Sequence, residues 1–170
     1  MQIALRRSAS LCSLLIVVLA IAISACSTVR LISDYDEPTD KALTALQQST
    51  DDFITNLIAS APSEENAFEK HKKFYEDIDQ QLRRLEFRVA SIPKNDQTKS
   101  LVADIRAAIL GEEKCTEDGG SLRNLHCLQE NLAHGPSRMA LQISQRNVNQ
   151  AIGAALALEL AKKQGLEQNK

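Results

Sequence analysis

The chain has 170 residues, with 20 basic and 22 acidic side chains and a net charge of −2. That length fits one domain with a core of its own, and the charge balance excludes the basic footprint of a nucleic-acid binder. Aromatic residues make up 4% and tryptophan is absent, while Ala, Leu, Gln, Glu and Lys abound, as in proteins built of packed helices.

Residues 1–25 fall into three zones. Arg6 and Arg7 are positive, and no acidic residue precedes Asp34. An apolar run from Leu11 to Ile23 follows, broken only by Ser13, and leads into Ile23-Ser24-Ala25-Cys26. A positive start, an apolar middle and small residues at a cut site are the parts of a secretory signal. An uncleaved membrane span is the alternative, but it needs about 18 consecutive apolar residues, and this run is shorter and ends in small residues at a cysteine.

The small residues before Cys26 resemble the lipobox of bacterial lipoproteins. That resemblance implies cleavage before Cys26, a diacylglycerol on its thiol and attachment to an envelope membrane. Ser27, in place of an inner-membrane retention aspartate, implies the outer membrane, with the periplasmic face expected over the cell surface. The expected division is a cleaved signal peptide over 1–25, a lipidated tether over 26–35 and a helical domain over 36–170. Without Arg6 and Arg7 the remaining chain has 18 basic and 22 acidic residues, a net charge of −4.

Along the domain, Asp36 or Thr39 can cap a first helix with Pro38 in its first turn. Leu43, Leu46, Phe53, Ile54, Leu57 and Ile58 recur at helical spacing, predicting a helix over about 38–60. Ala61-Pro62 breaks it. Ser63 can cap a second helix over about 63–91, whose Tyr75, Ile78, Leu82, Leu85, Val89 and Ile92 step by three and four. Pro93 ends that run. Asn95 or Asp96 opens a third helix carrying Leu101, Val102, Ile105 and Ile109, with Gly111 near its end.

Residues 112–121 are polar, with Gly119-Gly120 as a turn. Leu122, Leu125, Leu128 and Leu132 suggest a short helix, which Gly135-Pro136 interrupts. The last helix is predicted over about 137–164, with Leu141, Val148, Ile152, Leu156 and Leu160 on or near one face. The expected fold is all-α: an antiparallel up-and-down four-helix bundle with a short extra helix between its third and fourth helices. That excursion is the least regular part and the first place to look for function.

Candidate chemistry is sparse. Cys115 and Cys127 remain after the signal and the lipid site, and in an exported compartment a disulfide is the natural reading. Free thiols, or a zinc site with His126 and His134, are the alternatives, although the spacing matches no known zinc pattern. His71, one step before Tyr75, could be a metal or haem ligand, or the polar end of a core stripe. No Cys-x-x-Cys-His occurs for covalent haem, and Glu130 with His134 is the nearest approach to a Glu-x-x-His pair.

The acidic stretch Asp34 to Asp40 lacks the ligand spacing of a calcium loop and suits a helix start. The basic run Lys70 to Lys73, with Arg83, Arg84 and Arg88, reads as a solvated face or as a surface for anionic lipid. The amides of Ser144 to Gln150 could line a pocket, set helix register or simply face water. Gly153 and Ala157, four apart, would let another helix approach closely. No serine or cysteine nucleophile comes with an arranged base, so no catalytic residue, cofactor or metal is expected.

Tyr35-Asp36-x-x-Thr39-Asp40 and Leu158-Glu159-Leu160-Ala161-Lys162-Lys163 resemble segments of small helical lipoproteins of Gram-negative bacteria. The resemblance implies a fold and a location and no catalytic residue. The expected function is a non-enzymatic envelope lipoprotein, held by lipid on Cys26, that binds an envelope protein through a helical face. A ligand, metal or haem carrier using His71, His126 or His134 is the first alternative, and an exclusion or inhibitor lipoprotein is the second.

Overall fold

A computed structural model describes residues 32–111, 115 and 120–167. Cys26 and the whole predicted signal lie outside them. Among the described residues every regular element is helical and no strand occurs. The elements in order are α1 (Glu37–Ser60), a 3-10 turn (Glu64–Asn66), α2 (Phe68–Ser91), α3 (Asp96–Ile109), the short α4 (Leu122–Cys127) and α5 (Arg138–Glu167). None of these helices is long and apolar enough to cross a membrane.

Helix α1 begins where the residues favour it. The Asp36 carboxylate accepts from the Thr39 backbone N–H at 3.0 Å, and Pro38 sits in the first turn, where a missing N–H costs nothing. The core stripe follows the expected steps: Leu43, Leu46, Ile54 and Leu57 from α1, Ile78, Leu82, Leu85 and Val89 from α2, Val102, Ile105 and Ile109 from α3, and Leu141, Val148, Ile152 and Ala155 from α5. Each fully buried Leu, Ile or Val stabilises the fold by about 1.5–3 kcal/mol through lost water contact. Helix α5 packs on α1 and α3, α2 packs on α1 and α3, and α4 bridges α2, α3 and α5.

Two boundaries and one buried stripe differ from the sequence pattern. Ser63 does not cap α2: its side chain makes no cap bond, and the helix starts at Phe68. The intervening residues are used elsewhere. Ser63 N–H donates to His134 O at 3.0 Å, Phe68 N–H to Leu132 O at 3.0 Å, and Asn66 Nδ2 to Leu57 O at 2.8 Å. Helix α4 stops at Cys127 rather than continuing to Leu132; Ser121 caps it by accepting from Asn124 N–H at 3.1 Å. The chain then turns back through Gly135, whose φ of 71° and close approach to Asn66 leave no room for a Cβ.

The third difference lies in α5. Leu160 is 54% exposed, whereas Glu159 and Lys162 are buried. The core stripe of Ile152 and Ala155 continues through those two charged residues. The compact unit also reaches back before α1 to Ile32, and Ser33 is buried.

Candidate functional site

Two polar constellations stand out inside the helical unit, one at each end of α2. The first surrounds Lys162. Its ammonium donates to Glu159 Oε1 at 2.6 Å, Thr98 Oγ1 at 2.7 Å and Asn95 Oδ1 at 2.8 Å, so all three of its protons are matched. Thr98 Oγ1 donates to the same Glu159 oxygen at 3.1 Å. Asn95 Oδ1 also accepts from Ser33 Oγ at 2.8 Å, and Asn95 Nδ2 donates to Val89 O at 3.1 Å. Asn95 therefore serves this network and makes no side-chain cap for α3.

The chain's entry into the fold is tied to the same end. Ser33 N–H donates to Lys94 O at 2.9 Å, and Asp36 N–H reaches Glu159 Oε2 at 3.5 Å. The Asp36 carboxylate takes a bidentate pair from Arg88, with both bonds at 2.7 Å. That guanidinium, helped by Thr39, pulls the Asp36 pKa down to about 2. Tyr35 donates to Asp40 at 2.8 Å, which with its neighbouring carboxylates pushes the phenol up to about 12, and Lys163 lies over its ring at 5.7 Å. The two short segments at either end of the domain thus meet.

The second constellation centres on His126, which is fully buried. Its Nε2 lies 2.6 Å from the Asn66 carbonyl oxygen, so Nε2 carries the proton and donates. Nδ1 is then the acceptor for the Tyr75 hydroxyl at 2.8 Å. Burial drives the His126 pKa down to about 4, opposed by the bond to Asn66, and burial raises Tyr75 well above the ordinary phenol range. Phe53, Phe68, Phe74 and His71 pack their rings around this pair, with Phe53 stacked on Phe74 at 3.6 Å. Beside it, Cys115 and Cys127 form a disulfide with an S–S distance of 2.00 Å.

His71 Nε2 lies 3.0 Å from Glu65 O, and His134 is exposed, its carbonyl accepting from Ser63. The His71 and His126 rings lie 5.5 Å apart, yet no group of three His, Cys, Asp or Glu side chains suited to a metal occurs among the described residues. The α5 amides split in role. Gln145 Nε2 and Asn149 Nδ2 both donate to Asp51 Oδ1, at 2.9 and 3.0 Å, which sets the register of α5 on α1. The basic run on α2 is largely paired along its own helix: Lys72 with Glu69, Lys73 with Asp77, and Arg83 with Asp79.

The residue pattern offered His126 as a possible metal ligand but not its pairing with Tyr75, and it did not mark the Lys162 network as a site. Glu159 and Lys162 had two usable signals, the resemblance over Leu158 to Lys163 and their i, i+3 placement on the extended core stripe. A shallow, largely apolar groove of about 260 Å³ lies between α1 and α2, lined by Ala42, Ala45, Leu46, Arg84, Leu85 and Arg88. No protein family, curated protein or solved structure matches the chain.

Proposed function

We propose that the protein is a non-enzymatic lipoprotein of the cell envelope, held on the outer membrane by lipid on Cys26, and that its helical domain binds an envelope protein. The observation that carries the anchor is the order of Arg6-Arg7, the apolar run and Ile23-Ser24-Ala25-Cys26. One acyl chain holds a protein to a bilayer only marginally, and two or more hold it stably. On this reading the four long helices run up and down as an antiparallel bundle. Supporting that arrangement, Asp36 at the start of α1 pairs with Arg88 near the end of α2, and Glu159 late in α5 meets Thr98 early in α3.

The partner face is the outer side of α5. Met139 is 72% exposed, Ile143 46% and Leu160 54%. With Gly153 they fall within an arc of roughly 100°, taking about 100° per residue. A mid-helix glycine costs about 1 kcal/mol against alanine, and a Cβ at Gly153 would meet nothing within 4 Å. No contact inside the domain explains that glycine, whereas close approach of a partner does.

Two measurements test the reading. Labelled palmitate fed to expressing cells should enter the wild-type chain and not Cys26→Ala, which should accumulate at the size of the uncut chain; equal labelling of both would end the anchor assignment. Gly153→Leu should leave the unfolding midpoint within a few degrees, because the site is open, yet abolish capture of an envelope protein by affinity purification. Unchanged capture would remove α5 as the partner face.

A further inference from the structure

We propose that the α1–α2 groove binds a long-chain fatty acid anion, with the acyl chain on the alanine and leucine floor and the carboxylate on Arg84. Helix α1 turns small side chains, Ala42 and Ala45, toward α2 here, so the two helices leave a trough between them. Leu46 and Leu85 form its base and are 2% and 4% exposed, already part of the core. Its lining runs only about 10 Å along 81–88, so at about 260 Å³ it seats the carboxyl-proximal part of a slender acyl chain, not a folded ligand.

Charge selects the head group. Two guanidinium groups stand on the rim. Arg88 is neutralised by its bidentate pair with Asp36. Arg84 pairs with no carboxylate among the described residues; its bond is to the neutral Gln80 amide, at 3.5 Å. The planar guanidinium fork matches a carboxylate in two parallel hydrogen bonds. A cation over an apolar trough is complementary to an amphiphile that is anionic at one end and apolar along the rest. This site is separate from the outer face of α5 and does not depend on it.

The test uses the full chain in nanodiscs of zwitterionic phospholipid, with a photoreactive palmitic acid as probe and cross-linked peptides mapped by mass spectrometry. Adducts are expected within 42–46 and 81–88, displaced by unlabelled palmitate and not by hexadecanol, which lacks the charge. Arg84→Glu should lower their yield about tenfold, Arg84→Lys should keep most of it, and Ala45→Trp, filling the trough from an exposed position, should abolish it. Circular dichroism checks that each variant is folded. Adducts spread over other helices, equal displacement by hexadecanol, or undiminished labelling of folded Arg84→Glu would each overturn the proposal. So would a cross-linked second copy of the chain or a co-purified peptide occupying the trough in place of the acid.

Discussion

His126 has each ring nitrogen committed, Nε2 as donor to Asn66 O and Nδ1 as acceptor from Tyr75. Protonation would put a second proton where the Tyr75 hydroxyl already points, in a fully buried site. The folded pKa, near 4, lies below the 6.5 of an unhindered histidine. The unfolded chain therefore binds the proton more readily between those values, so stability is full above pH 6.5 and declines as pH falls toward 4. The loss should amount to about 2–3 kcal/mol, following 1.36 kcal/mol per unit. Denaturant unfolding at pH 7 and pH 4.5 checks it, and His126→Gln should flatten the dependence in that window. A metal at His126 would need one of these two bonds to break. Three histidines are visible in the sequence, but which is buried depends on contacts with Asn66 and Tyr75, 60 and 51 residues away.

At the scale of elements, the helices were legible because periodicity and breakers agree: Pro62, Pro93 and Gly135-Pro136 lie in the links, and the apolar steps of three and four became the buried stripe. What was not legible came from polar residues recruited over distance. Ser63 looks like a cap by its neighbours Glu64 and Glu65, yet its backbone is taken by His134. Leu160 looks like core by its type, yet the position one residue earlier carries the stripe. The 63–68 and 132–135 segments hold each other by backbone bonds, and the Cys115–Cys127 link, spanning 12 positions, closes the excursion beside them. A cross-link over a loop that short constrains the unfolded chain by about 3 kcal/mol. Cys127→Ser, or reductant on the wild type, should lower the unfolding midpoint accordingly; no change in either would show that the link does not restrain the unfolded chain.

For the helical domain, the decisive feature is that its first residues and the late turns of α5 meet at Ser33, Asn95, Glu159 and Lys162. Removing one partner of a buried ion pair costs about 3–5 kcal/mol, because the other charge is left without compensation. Lys162→Met should show that loss, and Glu159→Leu combined with it should restore much of the stability. Truncation makes the same point more broadly. Deleting 165–170 should move the unfolding midpoint little, since that stretch carries none of the network. Deleting from Leu158 should lower it steeply and in a single cooperative transition read by circular dichroism; gradual fraying of α5 alone would show that the ends do not lock the fold. The segments around Tyr35 and Glu159 were singled out by resemblance, and their meeting across 123 positions was beyond any local pattern.

The bidentate pair of Arg88 on Asp36 has a mechanical side. A tug arriving from the N-terminal side, as the proposed anchor would deliver it, reaches the domain at Ser33 and Asp36, and those residues are bonded to the α2–α3 link and to the far end of α5. The load is therefore shared at once among segments distant in sequence, and several charge-assisted bonds must rupture before α1 can begin to unwind. If the proposed lipid on Cys26 leashes the domain to a membrane, the leash end is the reinforced one and the opposite end, around His126, is spared the tension.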